Sequence, residues 1–292
     1  MSESVRTAVV IPVFNGLTEL KHCVAALAWA RDDGETCVIV VDSGSTDGTL
    51  AFLAEDAPWI TVLSAGREAW WTAAVERGCL HVRDELGADR ICLLNHDCRW
   101  SHDDYLRLSR CLDAHLDDIV CSRVVDLRDG SLIFGGGRQR RDGSLTSRLT
   151  AGCPPAASDG STIVQWCGGM GVLFSIETYS RIGGFDAGTF PHYFGDSDFC
   201  LRGRRAGIKT RYCPQSLVYN DGATTGVGIP RGGASLRDLW VSLSSRRSLW
   251  NLRDNLRFYA RHCGLLAPLA LGRVYAEWAG IAAIRLLRGA RA

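Results

Sequence analysis

Lysine is almost missing from this 292-residue chain: Lys21 and Lys209 stand alone, and arginine carries nearly all of the positive charge. That imbalance by itself points to no function. With 33 basic and 32 acidic residues the net charge is +1, so the overall basicity that accompanies nucleic-acid binding is lacking, and no nucleic-acid partner is expected. The twelve cysteines are scattered singly and no two are spaced CxxC, which removes the common zinc and redox signatures. Cys37, Cys92 and Cys213 lie inside apolar runs, as reduced, buried thiols of a cytosolic protein do. No secretory leader is expected, because Ser2 to Arg6 is polar and the apolar run after it is short and reaches Pro12. A membrane span needs about 20 mostly uncharged residues, and no such run occurs. There is no internal repeat.

Two glycine-rich phosphate signatures are also missing. Where a GxGxxG would follow a first strand, the chain reads Pro12-Val13-Phe14-Asn15-Gly16-Leu17-Thr18, so a nicotinamide-dinucleotide domain is not expected. A GxxxxGK[ST] phosphate loop is likewise absent. A nucleotide would then be held by side chains and a metal, since Mg²⁺ commonly takes one or two carboxylates together with phosphate oxygens.

What is present is an alternation of apolar strands and helical periodicity. Thr7–Val13, Cys37–Val41, Trp59–Leu63 and Arg90–Leu94 read as strands, with helices over Thr18–Ala30, Thr49–Glu55 and Ala69–Leu86 between them. Thr46 or Ser45 is expected to cap the second of these helices. Such alternation predicts an α/β fold with a mostly parallel sheet covered on both faces. His102–Leu116 continues as helix and Ile119–Val125 as strand, and Arg128–Asp159 reads as an irregular hairpin or loop. Ile176–Ile182 is a short helix, and a further helix opens at Phe194–Asp198 and runs to Ala206. Thr210–Cys213 and Leu217–Tyr219 read as short strands, and Asp221–Gly233 as a glycine-rich loop. Ser235–His262 and Leu265–Leu287 read as helices. The domain boundary is therefore expected after residue 234, with residues 235–292 as a helical extension. From Arg231 to Ala292 eleven arginines face Asp238, Asp254 and Glu277. The last helix is amphipathic with a wide apolar side, and its expected contact is with the domain itself, a partner or, peripherally, the inner face of the membrane.

Polar residues gather where the strands end. The first strand delivers Phe14-Asn15, the second Asp42, the third the Gly66-Arg67 turn and the fourth Asn95-His96-Asp97. In an open α/β sheet that edge is where ligands bind. Asp47 reads as a turn or cap residue and His96 as a space-filler rather than a ligand.

Val9-Val10-Ile11-Pro12-Val13-Phe14-Asn15 and Val41-Asp42-Ser43-Gly44-Ser45-Thr46-Asp47-Gly48-Thr49 resemble the opening of family 2 glycosyltransferases, which have the GT-A fold. Asn95-His96-Asp97 stands where that family carries its DxD-type metal motif. Gly183-Gly184-Phe185-Asp186 and Phe194-Gly195-Asp196-Ser197-Asp198 resemble its later GGFD and ED-x-D elements. The resemblance covers residues 5 to about 220. Trp70-Trp71 and Trp250-Asn251 resemble the rhamnosyltransferase-like branch.

The resemblance implies an inverting enzyme that moves a sugar from a nucleotide-diphosphate donor, a UDP- or dTDP-sugar with dTDP-rhamnose as one candidate, to a hydroxyl of a glycan or lipid-linked acceptor. It implies that Pro12, Phe14 and Asn15 border the base, that Asp42 contacts base or ribose, and that Arg67 reaches base or diphosphate. Asn95 would serve the phosphate or ribose side, Asp97 would ligate Mg²⁺ or Mn²⁺, and Asp196 would be the catalytic base. Trp71, Gly169, His192 and Asp198 would shape the acceptor site. Two departures stand out: Asn95 replaces the first acid of the metal motif, and Gly195 replaces the acid before Asp196. Where relatives place a late histidine, this chain has Tyr219-Asn220-Asp221. A nucleotidyltransferase and a non-catalytic membrane-surface scaffold are the alternative readings. The first would require an early glycine-rich phosphate loop, which residues 12–22 do not offer.

Overall fold

A computed structural model describes residues 6–146, 160–220, 229–230 and 232–289. In chain order the elements are β1 (Thr7–Val13), α1 (Leu17–Ala26), α2 (Trp29–Asp32), β2 (Thr36–Asp42), α3 (Thr49–Glu55), β3 (Thr61–Ser64), α4 (Trp71–His81), β4 (Arg90–Leu93), β5 (Cys98–Arg99) and α5 (His102–Asp113). There follow β6 (Ile119–Asp126), β7 (Leu132–Phe134), β8 (Arg138–Gln139), β9 (Leu145–Thr146), β10 (Thr162–Val164), β11 (Val172–Ser175), α6 (Ile176–Ile182), α7 (Gly195–Arg205) and β12 (Thr210–Asn220). The chain closes with α8 (Leu236–Ser244), α9 (Leu252–Cys263) and α10 (Ala267–Gly289). The chain divides into two compact units. One comprises Met1–Arg138, Ser147–Pro191 and Gly195–Gly222; the other comprises Gln139–Thr146, His192–Phe194 and Ala223–Ala292.

The first unit is built on one curled sheet whose strands run in the order β10-β12-β6-β11-β4-β1-β2-β3. Strands β3, β2, β1 and β4 pair in parallel, as the βα alternation predicts, while β11 is inserted antiparallel between β4 and β6. The central strands are apolar through their middles, with Thr7, Thr36, Asp42 and Arg90 confined to their ends, because both faces are covered. Their alternate residues feed two cores: Val9, Ile11, Val38 and Val40 face one side, and Ala8, Val10, Ile39 and Val41 the other. Residues of one parity therefore pack beneath α1 and α5, and those of the other beneath α4 and α7.

Several local expectations change. The periodicity over Thr18–Ala30 is interrupted at Leu27-Ala28, giving α1 and α2. Neither Ser45 nor Thr46 caps α3. Gly48 occupies the cap position, and the Asp47 carboxylate accepts from the Thr49 N–H (3.1 Å) and hydroxyl (2.6 Å). The two late strands form one, β12, with an irregularity between Cys213 and Leu217, where Pro214 cannot donate to the ladder. The region 128–146 holds β7, β8 and β9, and its remainder, 147–159, lies outside the described residues, as does the glycine-rich stretch 221–228.

In the second unit the predicted helix over Ser235–His262 is two helices. Ser235 and Asp238 form a reciprocal capping box at the start of α8, and Asn251 caps α9 through the Asp254 N–H at 3.0 Å. The intervening Ser244–Asn251 stretch is rich in serine, whose hydroxyls compete with helical bonds. Within it Phe194 stacks on Phe258 with ring centroids 4.6 Å apart, and the 139–146 hairpin is tied to α10 through an Arg273–Asp142 ion pair at 3.6 Å. No helix among the described residues is long and apolar enough to cross a membrane.

Candidate active site

The site is assembled in the first unit at the carboxyl ends of β1, β2, β3 and β4. Phe14 leaves β1 with 54% of its surface exposed, which makes it a rim residue rather than core. Pro12 is buried within β1, paired with Val41. Asn15 adopts a left-handed backbone (φ 50°) and ties its turn to the next loop: its N–H donates to Ser45 Oγ at 2.9 Å, and its side-chain oxygen accepts from the Thr46 N–H at 2.8 Å. Asp47 completes the fastening by accepting from the Leu17 N–H at 2.9 Å, and is thus a cap for two helix starts. The bonds from Leu17 and Thr49 hold its carboxyl below the usual range, against the opposing effect of desolvation.

Asp42 is 3% exposed and accepts from the N–H groups of Gly44 (2.9 Å) and Ser45 (3.1 Å). These bonds shape the loop after β2 and account for an acid at the end of an apolar strand. The aliphatic stem of Arg67 lies against Gly44, which sets the guanidinium's base beside the Asp42 loop. The imidazole of His96 packs directly on Gly16, as a filler between β1 and β4.

Asn95 and Trp71 meet: the indole Nε1–H donates to Asn95 Oδ1 at 2.8 Å. The same indole lies over Gly169, where any Cβ would collide with the ring, so glycine there is a packing requirement. Asp97 is half-buried beside thiols. Cys98 Sγ lies 3.8 Å from its Oδ1, and its main-chain oxygen is approached by Asn220 Nδ2 at 3.4 Å. Cys23 lies near as well, and burial together with the Asp97 charge pushes its thiol far up. Asn220 is paired with Cys98 across β12 and β5, so it occupies the region where a further ligand was sought; Asp221 lies outside the described residues. Among the described residues no three His, Cys, Asp or Glu side chains gather as a metal site.

Asp196 opens α7 and reaches the same place. Its carboxylate accepts from the Ser197 N–H at 2.7 Å and from the backbone of Gly169, and Gly168 lies close to its Oδ2. Burial outweighs these bonds and raises its carboxyl above the ordinary value. Gly195 is pressed against Thr72 of α4, with no room for a Cβ. An acid at 195 would force the buried Thr72 side chain to move, which accounts for glycine at that position in this packing. A contact chain runs from Asp42 through Arg67 at Gly44. A second runs from Asn95 through Trp71 and Gly169 to Asp196.

Asp198 is corrected by the structure. It is fully buried, and its carboxylate accepts from Arg202 Nε at 2.7 Å. Arg202 in turn donates to the carbonyls of Ile182 (2.7 Å) and Gly184 (2.6 Å). Asp198 thus orients the arginine that closes the end of α6, and it presents no face to an acceptor. On the opposite side Glu76 of α4 accepts from the Phe185 N–H at 2.8 Å, and burial pushes its carboxyl up. Sequence reasoning missed Glu76, Thr72 and Arg202. The available signal was an acid at 76 on the buried stripe of Thr72, Val75 and Cys79. His192 belongs to the second unit, where burial, aided by Arg247, lowers its imidazole to about 4.

Comparison with known proteins follows the same outline. Rhamnosyltransferase WbbL of Escherichia coli (strain K12) is 38% identical over 104 residues, which is 34% of this chain and 32% of that protein. The matched stretch is thus about a third of the curated relative's length. Of solved structures, GalNAc-T7 with UDP, GalNAc and Mn²⁺ superposes over 88% of this chain and 50% of its own, with a TM-score of 0.62 at 14% identity. The mannosyltransferase PcManGT from Pyrobaculum calidifontis, in complex with GDP-Man and Mn²⁺, covers 95% of this chain and 75% of its own, with a TM-score of 0.55 at 18% identity. At those identities the likeness establishes the GT-A fold. The family model for glycosyl transferase family 2 matches residues 8–153, half of the chain and the part that holds β1 to β4 with their polar ends. This chain belongs to glycosyl transferase family 2.

Proposed function

We propose that this protein transfers a sugar from a nucleotide-diphosphate donor to an acceptor hydroxyl with inversion at the anomeric carbon. The observation that carries the reading is the run of contacts from Asn95 through Trp71 and Gly169 to Asp196, which brings the end of β4 and the first turn of α7 to one sheet edge. In this reading Phe14, Pro12 and Asn15 border the base. Asp42 shapes the loop that receives base or ribose, and Arg67 reaches base or diphosphate. The Trp71 N–H can only donate, so it holds the Asn95 amide with oxygen inward and leaves the NH₂ to donate to a phosphate or ribose oxygen. Asp97 is the carboxylate proposed for Mg²⁺ or Mn²⁺, which in such sites is completed by the donor's phosphate oxygens. When bound there, the cation would supply charge neutralisation to the departing diphosphate.

Asp196 accepts the acceptor's proton as general base. Burial raises its carboxyl, and the ionised form is a correspondingly stronger base for the acceptor's proton. Trp71 and Gly169 line the acceptor side in the first unit. UDP- and dTDP-sugars both fit the reading, dTDP-rhamnose among them, with a glycan or lipid-linked acceptor. A cytoplasmic setting accords with the eleven described cysteines, which are free thiols. Incubation with radiolabelled UDP- and dTDP-sugars, with and without Mn²⁺, tests the proposal. Release of nucleotide diphosphate together with sugar of inverted configuration supports it; absence of release and transfer for every donor sinks it.

A further inference from the structure

We propose that the exposed face of α9, with the turn leading into it, docks on an anionic lipid bilayer. This goes beyond the transferase reading and does not depend on it. Leu249, Leu252 and Leu256 are 57%, 47% and 47% exposed. Leu252 and Leu256 stand one helical turn apart, Leu249 precedes them on the turn, and Ala260 extends the stripe. α8 repeats the pattern with Leu236 and Trp240, four residues apart and 75% and 70% exposed. Four leucines and a tryptophan facing water need a partner, and single scattered exposure does not describe a stripe at helical spacing.

The charge distribution selects the partner. Between residues 235 and 263 the ionisable residues that are largely exposed are arginines: Arg237, Arg246, Arg247 and Arg253. Of the two acids of that span, Asp254 is withdrawn into the interior at 4% exposure and Asp238 stays at the surface in the capping box with Ser235, so the exposed charge is predominantly positive. A second copy of this chain meeting the same face across a two-fold axis would set arginine against arginine. A bilayer containing anionic lipid meets both features, with leucines entering the headgroup boundary, arginines pairing with phosphates and tryptophan at the interface. The exposed side of α10, where membrane contact was expected from sequence, mixes Glu277 with Arg273 and Arg288 and lacks this one-sided charge.

Flotation of the full chain with vesicles decides the matter. Wild type is expected to float with phosphatidylglycerol–phosphatidylcholine vesicles at low salt, and to remain at the bottom with phosphatidylcholine alone or in high salt. The triple variant Leu249→Ser, Leu252→Ser, Leu256→Ser should bind at least about tenfold more weakly. Since the three side chains are exposed, its melting temperature should match wild type. The charge variant Arg246→Gln, Arg247→Gln, Arg253→Gln should lose the preference for anionic vesicles, and Leu265→Ser, Leu269→Ser on the α10 side should stay within about twofold of wild type. Absence of wild-type flotation, or flotation of the leucine variant equal to wild type, overturns the proposal. So does a concentration-dependent dimer that the leucine variant dissociates, because the face would then be a subunit contact.

Discussion

The indole N–H of Trp71 holds the side-chain oxygen of Asn95 at 2.8 Å. Because tryptophan is donor only, this bond decides which end of the Asn95 amide is left for a ligand. Trp71→Phe removes the donor and with it the outer indole edge that packs on Gly169. A neutral hydrogen bond is worth roughly 0.5–1.5 kcal/mol, so loss of the donor alone should lower kcat/KM about twofold to tenfold, with lost packing read separately as a lower melting temperature. Unchanged kinetics with every donor would show that the orientation of Asn95 is immaterial.

Asn95→Asp tests the same position from the metal side. It adds a carboxylate two residues from Asp97 while still accepting the Trp71 bond. The Mn²⁺ concentration giving half-maximal activity should drop, and Asp97→Asn should raise it or abolish the metal response. Isothermal titration of nucleotide diphosphate in the presence of Mn²⁺ reads both. An Asp97→Asn variant with wild-type metal dependence would remove Asp97 as the ligand.

Asp196→Asn should lower turnover by at least about a hundredfold while nucleotide-sugar affinity stays near wild type, as expected when a general base is lost. The same change should raise the melting temperature at neutral pH. The folded carboxyl value lies above that of the unfolded chain, so the native state binds the extra proton between the two. Stability therefore falls as pH rises through that window and stays lower above it. The acid limb of the rate profile should accordingly lie above the usual carboxylate range. A melting temperature that drops in Asp196→Asn would contradict this account.

Asp198→Ala should behave in the opposite way. Removing one partner of a buried ion pair costs roughly 3–5 kcal/mol, read by urea unfolding. Material that remains folded should keep far more activity than Asp196→Asn. A collapse of turnover with unaltered stability would return Asp198 to the chemistry.

His192 should titrate near 4 by NMR, since burial opposes its charge. Its folded value lies below the unfolded 6.5, so its contribution to stability is complete above 6.5 and is lost as pH falls toward 4. A midpoint near 6.5 would mean that its ring is solvated.

Much of the fold could be read because it rests on local pattern. β1 and α6 come out at the predicted residues, since an unbroken apolar run and a serine-capped start leave little choice. The strand-end residues were visible for the same reason, as polar groups abruptly ending apolar runs. What stayed hidden depends on partners distant in sequence. Asp198 and Asp196 look equivalent along the chain, and only Arg202 and the turn at Gly184 separate a buried anchor from a group beside Gly169. Glu76 acquires its role from the Phe185 N–H, 109 residues away. The antiparallel insertion of β11 likewise has no local sign.

The second unit gathers three separate stretches of chain, so it cannot be excised at a single cut. The 139–146 hairpin finds partners near the other end of the sequence: the Cys263 thiol donates to the Gly143 carbonyl at 3.3 Å, and Arg273 pairs with Asp142. Truncation after residue 234 would strip that hairpin of its neighbours and uncover Phe194 by removing Phe258. For protein engineering, the helical end of this chain is a stitched component rather than a detachable tag, and fusions or swaps should keep all three stretches from one parent.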